Sequence, residues 1–504
     1  MKKLNEKRKS GVLLHVSSLP SNYGTGDLGV EAYSFIDKLA ANGFGVWQIL
    51  PLGPHGPGNS PYQSYSAYAG NVLFVSPDEL LNWGLLNKDD ILLAPKFSKH
   101  RVDYERATQW KHQLLIKCWD NFRHNQHGFS AFWAEFDAFI GEHGWWLNDY
   151  ALYAVCKQQF NGEAWSKWPE KLKKRNAHSL HKFRHEHEQL IRAEMFKQFI
   201  FFRQWFRLKE YANKRGVQIF GDLPLYVAYD SADVWSNQSF FQLDKNGDPL
   251  LVGGVPPDYF SEDGQLWGNP VYDWEKMAAD EYHWWIARIY FNLHLFNMVR
   301  IDHFRGLESF WAIPALAKTA KTGSWQKAHG YEMLQVLKKR MPELPVVAED
   351  LGEITPEVEA LRDHFELPGM KVLQFAFSGE ADNVHLPHNF TANNVVYTGT
   401  HDNDTLVGWW SALSTKEKKI VKSYSAHTNR KSVAERLVEY AWSSVACIAI
   451  VPLQDILRLD THARMNTPGT IDRNWMWRCD KGLGGKSNWH FMKKLNVKYN
   501  RNNE

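Results

Sequence analysis

Eight short apolar runs, each ending in polar or acidic residues, recur along this chain. They are Gly11–Pro20, Gly45–Leu52, Val217–Val227, Met298–Leu307, Pro345–Gly352, Met370–Phe377, Asn394–Asp404 and Cys447–Leu457. Each is rich in Val, Ile, Leu or Phe and is bounded by turn residues. Such runs read as strands buried on both faces, as in a parallel sheet. Helical periodicity falls between several of them. Ala32–Asn42 is amphipathic and stops before Gly43, and Gln189–Lys214 carries Met195, Phe199, Phe202 and Phe206 and stops at Gly216. A glycine just past the last periodic residue is the expected helix-end signal.

Eight strands alternating with helices predict an α/β chain, a (β/α)8 TIM barrel with helical insertions between strands. The whole of 1–504 is read as one catalytic domain. The stretch from Leu52 to Val217 is far longer than a crossover helix requires, which predicts an inserted helical subdomain over 53–190. A second insertion, irregular, is expected over 228–285. It contains a glycine- and proline-rich segment, 253–270, that also carries Tyr259, Phe260 and Trp267. Such segments commonly serve as lids. Lys167–Glu188, dense in Lys, Arg, His and Glu, reads as a solvated surface helix.

Composition narrows the function classes. Hydrophobic residues are 44% and charged residues 23%, ordinary for a soluble globular chain. Lys and Arg number 59 against 56 Asp and Glu, a balance that offers no electrostatic case for nucleic acid or an anionic membrane. Cys118, Cys156, Cys447 and Cys479 stand far apart with no CxxC pair, against a disulfide framework or thiolate metal site and in keeping with a reducing, cytoplasmic setting. The basic start followed by Gly11–Val16 superficially resembles a signal peptide, but the apolar run is short and encloses His15, so a buried first strand is the better reading. No apolar stretch approaches membrane-spanning length. The 23 tryptophans serve mainly an aromatic-rich core, with some free to stack on the C–H faces of sugars.

Barrel catalysis sits at the C-terminal strand ends. There the chain places Asp222, Asp302, Glu349 with Asp350, and Asp402 with Asp404. Folding gains nothing from crowding carboxylates. Asp350 and Asp404 suit helix capping, but the set as a whole suits either glycoside cleavage by a carboxyl pair or divalent-metal binding. Arg300 weighs against a metal. Two residues before Asp302 on one strand, it points the same way, would repel a cation, and is expected to lower the Asp302 pKa and keep a nucleophile charged. Glu349, as general acid, is expected to be kept protonated by neighbouring acids such as Asp402. His303 and His401, each beside a candidate catalytic Asp, are read as hydrogen-bond donors to sugar hydroxyls or to these acids.

Val299–Gly306 (VRIDHFRG), Ala348–Gly352 (AEDLG) and Thr400–Asn403 (THDN) resemble motifs of the amylomaltases, the 4-α-glucanotransferases of glycoside hydrolase family 77. Gly11–Pro20, Ser60–Gln63 (SPYQ), Gly221–Val227 (GDLPLYV), Gly253–Pro270 and Asn466–Gly469 (NTPG) are similar to further family segments, in the same order nearly end to end. The resemblance implies a retaining double displacement, with Asp302 as nucleophile, Glu349 as acid/base and Asp402 as the acid that stabilises the distorted sugar. It further implies that Tyr62, Asp222, Arg300, His303 and His401 hold the donor sugar, and that Glu262, Gln265, Trp267 and Asn466 belong to the substrate-binding set. One departure is Ser378, where many relatives carry an acidic residue after a QFAF-like run. The expected activity is transfer among maltooligosaccharides, amylose or related α-1,4-glucans, with no cofactor and no metal, in a cytoplasmic monomer or weak homo-oligomer. An α-glucan hydrolase of similar fold is the alternative, followed by a metal-dependent sugar isomerase and a non-catalytic glucan-binding protein.

Overall fold

The structure is a computed structural model that describes residues 7–257, 261–426, 430, 432–470 and 472–502. Twelve strands are present among them: β1 (Lys9–Leu13), β2 (Val46–Gln48), β3 (Gln218–Leu223), β4 (Leu251–Val255), β5 (Gln265–Pro270), β6 (Met298–Ile301), β7 (Ser309–Pro314), β8 (Ser324–Lys327), β9 (Val346–Ala348), β10 (Gly369–Val372), β11 (Asn394–Tyr397) and β12 (Ile448–Pro452). Eight of them close a parallel barrel in the order β1-β12-β11-β10-β9-β6-β3-β2. Each apolar run of the sequence supplies one barrel strand, so the (β/α)8 expectation is borne out. The strands are shorter than the runs. β6, for example, ends at Ile301, one residue before Asp302, because the polar tail of each run leaves the barrel wall and lines its mouth.

The two helices read from periodicity form over Val30–Ala41 and Glu188–Lys214. Gly43 and Gly216 follow them with φ of 76° and 73°, the left-handed turn that glycine adopts without steric cost. Between β2 and β3 lie the helices Tyr104–His124, Ser130–Gln159 and Ala177–Glu186. Their aromatic rings pack together and onto Glu188–Lys214. Phe122 stacks on Trp133 at 4.4 Å, and Trp119 meets Phe196 at 5.4 Å. Burying rings of this size stabilises by about 1.5–3 kcal/mol each, and these contacts merge with the barrel into one hydrophobic cluster. Most tryptophans are core residues of this kind, and all four cysteines are buried and free.

The other four strands form an antiparallel sheet beside the barrel mouth, in the order β5-β4-β7-β8. β4 and β5 take up both ends of the 253–270 segment, whose Asp258, Tyr259 and Phe260 lie outside the described residues. Two glycines make this pairing possible. A Cβ at Gly254 would lie 2.1 Å from the Gln265 carbonyl oxygen, and one at Gly253 would lie 2.5 Å from the Tyr226 ring. Among the described residues, no helix is long and apolar enough to cross a membrane.

Candidate active site

Neighbouring strands set the first contact. β3 and β6 pair with Asp222 opposite Arg300, so the two side chains meet at the barrel mouth. Arg300 donates from Nε to Asp222 Oδ1 at 3.0 Å and from Nη2 to Asp222 Oδ2 at 2.7 Å. The same Nη2 donates to Asp302 Oδ1 at 2.8 Å and to the Tyr62 hydroxyl at 3.1 Å. Tyr62 in turn donates to Asp222 Oδ2 at 2.7 Å. Burial opposes the Arg300 charge, but the surrounding oxygens outweigh it and hold the guanidinium protonated. The pair is nearly sealed, at 4% and 0% side-chain exposure, whereas Asp302 keeps 30% open to the mouth.

The same logic joins Asp302 to Glu349. β6 and β9 pair with Ile301 opposite Ala348, and the next residue of each strand is a carboxylate. Glu349 donates its backbone N–H to the Ile301 carbonyl at 3.0 Å. His303 adopts φ 52° and ψ 50°, an unusual left-handed geometry for a residue with a side chain. Its N–H thereby reaches Glu349 Oε2 at 2.7 Å, while the Leu351 N–H reaches Oε1 at 3.1 Å. Glu349 is thus oriented by two backbone donors.

The Asp302 pKa differs from the sequence expectation in direction, and that of Glu349 in cause. Burial raises the Asp302 pKa to about 7, with the charges of Asp222 and Asp402 adding to it and Arg300 opposing. Arg300 does pull Asp302 down and is the largest opposing influence, but burial together with the charges of Asp222 and Asp402 outweighs it. Glu349 is pushed well above the ordinary glutamate value, first by burial and then by Asp302. The negative neighbour that counts is therefore Asp302, not Asp402. Both carboxyls are therefore held above their ordinary values, each raised first by burial.

A third wall faces them. Asp402 accepts from Asn466 Nδ2 at 2.6 Å, and its carbonyl accepts from Arg464 Nη2 at 2.7 Å. His401 Nε2 lies 3.3 Å from Asp402 Oδ2. Burial lowers the His401 pKa against the opposing Asp402 charge, so the imidazole is neutral near pH 7 and this contact is polar rather than ionic. The Tyr62 ring stacks on His401 at 5.2 Å. Burial likewise takes His303 down to about 4, and its ring meets Trp267 edge-on at 4.8 Å. Trp267 donates Nε1–H to Gln265 Oε1 at 3.1 Å.

Asp302, Glu349, Asp402, Tyr62, Asp222, Arg300, His303, His401, Trp267 and Asn466 therefore converge, with Gln265 joined through Trp267. Glu262 stands apart: its side chain is 96% exposed and lies 3.8 Å from Lys321. Asp350 and Asp404 are structural, though not as helix caps. Asp350 accepts the Met370 N–H at 2.6 Å and pairs with Arg362. Asp404 accepts the Thr405 N–H at 2.7 Å and the Thr461 hydroxyl at 2.8 Å. Sequence reasoning missed Arg464 and Trp475. Trp475 packs on Tyr62 at 6.0 Å and on His401 at 5.7 Å, and nothing in its local sequence distinguishes it from the other tryptophans. No group of three His, Cys, Asp or Glu among the described residues is arranged to hold a metal ion.

A parallel barrel with an arginine-bound aspartate and a proton-holding glutamate at the same strand ends defines a carboxylate-pair barrel of the glycoside-processing class. Residues 14–483 match the family model described as 4-alpha-glucanotransferase, and the chain belongs to that family, glycoside hydrolase family 77, as its motifs indicated. The 4-alpha-glucanotransferase of Synechocystis sp. is 49% identical over 476 residues, 94% of each chain. The chloroplastic/amyloplastic 4-alpha-glucanotransferase of Arabidopsis thaliana is 45% identical over 94% of this chain and 81% of its own. Among solved structures, the amylomaltase from Streptococcus agalactiae in complex with acarbose superimposes with a TM-score of 0.95 at 36% identity, covering 98% of this chain and 100% of that one.

Proposed function

We propose that this chain transfers a segment of an α-1,4-glucan to the 4-hydroxyl of an acceptor glucan or glucose by a retaining double displacement. The observation that carries the reading is the pairing of Asp302, open to the mouth and hydrogen-bonded to Arg300, with Glu349, raised in pKa and aimed by two N–H donors. Asp302 attacks the anomeric carbon of the donor as the bond to the departing O4 breaks, and the Glu349 proton moves to that oxygen. The glycosyl–Asp302 ester is then attacked by the acceptor 4-hydroxyl. Its proton passes to the Glu349 carboxylate and Asp302 leaves as carboxylate. A pair acting this way stands about 5–5.5 Å apart.

Asp402, held by Asn466, faces the sugar ring and stabilises its positive charge at the transition state. Tyr62, Asp222, Arg300, His303 and His401 hold the donor sugar, while Trp267, Gln265 and Glu262 serve the glucan from the segment beside the mouth. The partners are maltooligosaccharides and related α-1,4-glucans, as the acarbose complex of the Streptococcus agalactiae amylomaltase supports. The reaction needs neither metal nor cofactor, and the setting is cytoplasmic, for a monomer or weak homo-oligomer.

Incubation with maltotriose tests the reading. Transfer yields glucose together with oligosaccharides longer than three units. Shorter products alone would mean hydrolysis and overturn it.

A further inference from the structure

The 464–475 segment supplies two of the hydrogen bonds that hold Asp402, and its backbone is strained. Arg473 and Trp475 both have φ of 65°. Bulky side chains rarely adopt this region, and it persists only where surrounding structure over-determines it. At Trp475 the surroundings do so on every side. Its N–H donates to the Met465 carbonyl at 2.7 Å. Its carbonyl accepts from the Tyr104 hydroxyl at 2.8 Å, a contact from the helices inserted between β2 and β3. The residue is only 5% exposed, so it is buried behind the site.

With this backbone geometry the indole packs against Tyr62 and His401. Trp475, Tyr62 and His401 form a closed triangle with centroids 5.2, 5.7 and 6.0 Å apart, all within the range of favourable aromatic contact. The corners come from three separate stretches of chain, those that follow β2, β11 and β12. Tyr62 is also bound to Asp222 and Arg300, and His401 lies against Asp402. Trp475 is the corner that joins the cluster through ring packing.

We propose that Trp475 is a positioning residue for the reaction: its indole backs Tyr62 and His401 and keeps them in register with Asp302 and Asp402 when the donor sugar distorts. The inference rests on the proposed roles of Tyr62 and His401 as donor-sugar contacts. Misplacing such contacts by about 1 Å costs on the order of 100-fold in rate, and the loss falls on kcat more than on KM because the sugar still binds.

The test compares Trp475→Phe with Trp475→Leu, measuring kcat and KM on maltotriose together with Tm. Both substitutions carry the same backbone penalty at positive φ and both fill apolar volume, so they differ chiefly in the ring. Expected is near wild-type kcat for Phe, within about 5-fold, and a loss of about 30-fold or more for Leu at similar Tm. Equal activity of the two variants, or a Leu variant with wild-type kcat, would overturn the proposal. If Leu does not fold, Trp475→Gly, which suits the backbone and removes the ring, must show the same loss of kcat; a fully active Gly variant overturns the proposal equally. A wild-type protein that only shortens maltotriose contradicts the transfer reading, yet the Phe-over-Leu comparison is still decided on the hydrolytic rate.

Discussion

Arg300 Nη2 serves three oxygens at once, those of Asp222, Asp302 and Tyr62. Even so, Arg300 does not return Asp302 to the ordinary aspartate range, because burial and the charges of Asp222 and Asp402 outweigh it. Glu349 illustrates the complementary effect, since burial and the Asp302 charge keep its proton on. A raised acid pKa favours the folded state at low pH, and this contribution is lost as pH rises from the unfolded value toward the folded one. Glu349→Gln removes the titration while keeping the shape. Its Tm should match wild type near pH 4.5 and exceed it increasingly toward pH 8, measured by thermal unfolding across that range; a Tm difference independent of pH would contradict a raised Glu349 pKa. At this scale the carboxylates and Arg300 were legible because each sits directly at the end of an apolar run. The raised Asp302 pKa was not, because it depends on how deeply the folded barrel buries that carboxyl. Trp475 was invisible for a similar reason: its importance comes from a left-handed backbone and rings distant in sequence.

Register between elements turns these residues into a site. Asp222 faces Arg300 across β3 and β6, and Asp302 and Glu349 follow a paired Ile301 and Ala348 across β6 and β9. The eight barrel strands could be read from sequence because burial on both faces leaves an unbroken apolar run. The mouth-side sheet could not. β8 is largely exposed, β5 is exposed over half of its length, and β4 depends on glycines whose value lies in close backbone approach. The loop that follows β12 has its own testable role. Asn466 donates to Asp402 at 2.6 Å, and a hydrogen bond to a charged group contributes about 1.5–3 kcal/mol. Asn466→Ala should therefore lower kcat on maltotriose by about 10-fold or more with Tm little changed. An unaltered kcat would show that Asp402 needs no such support.

Across the whole molecule, barrel and inserted helices share one hydrophobic cluster, so the mouth is set in a rigid frame to which Tyr104 and Trp475 add a direct link. Near-balanced charge, +3 overall, leaves a neutral glucan to be held by hydrogen bonds and ring stacking rather than by electrostatic steering. On the proposed mechanism, the frame holds an aspartate that bonds to carbon beside a glutamate that gives and takes a proton. The most direct measurement is the intact mass of the Glu349→Gln variant after exposure to α-maltosyl fluoride. Fluoride departs without a proton, so the first displacement proceeds without an acid, while the second is slowed by loss of the base. Expected is a protein heavier by one maltosyl unit, with the adduct on the peptide that contains Asp302 and absent from Glu349→Gln carrying Asp302→Asn as well. A variant that turns over the fluoride with no adduct, or one labelled at another residue, would contradict Asp302 as the nucleophile.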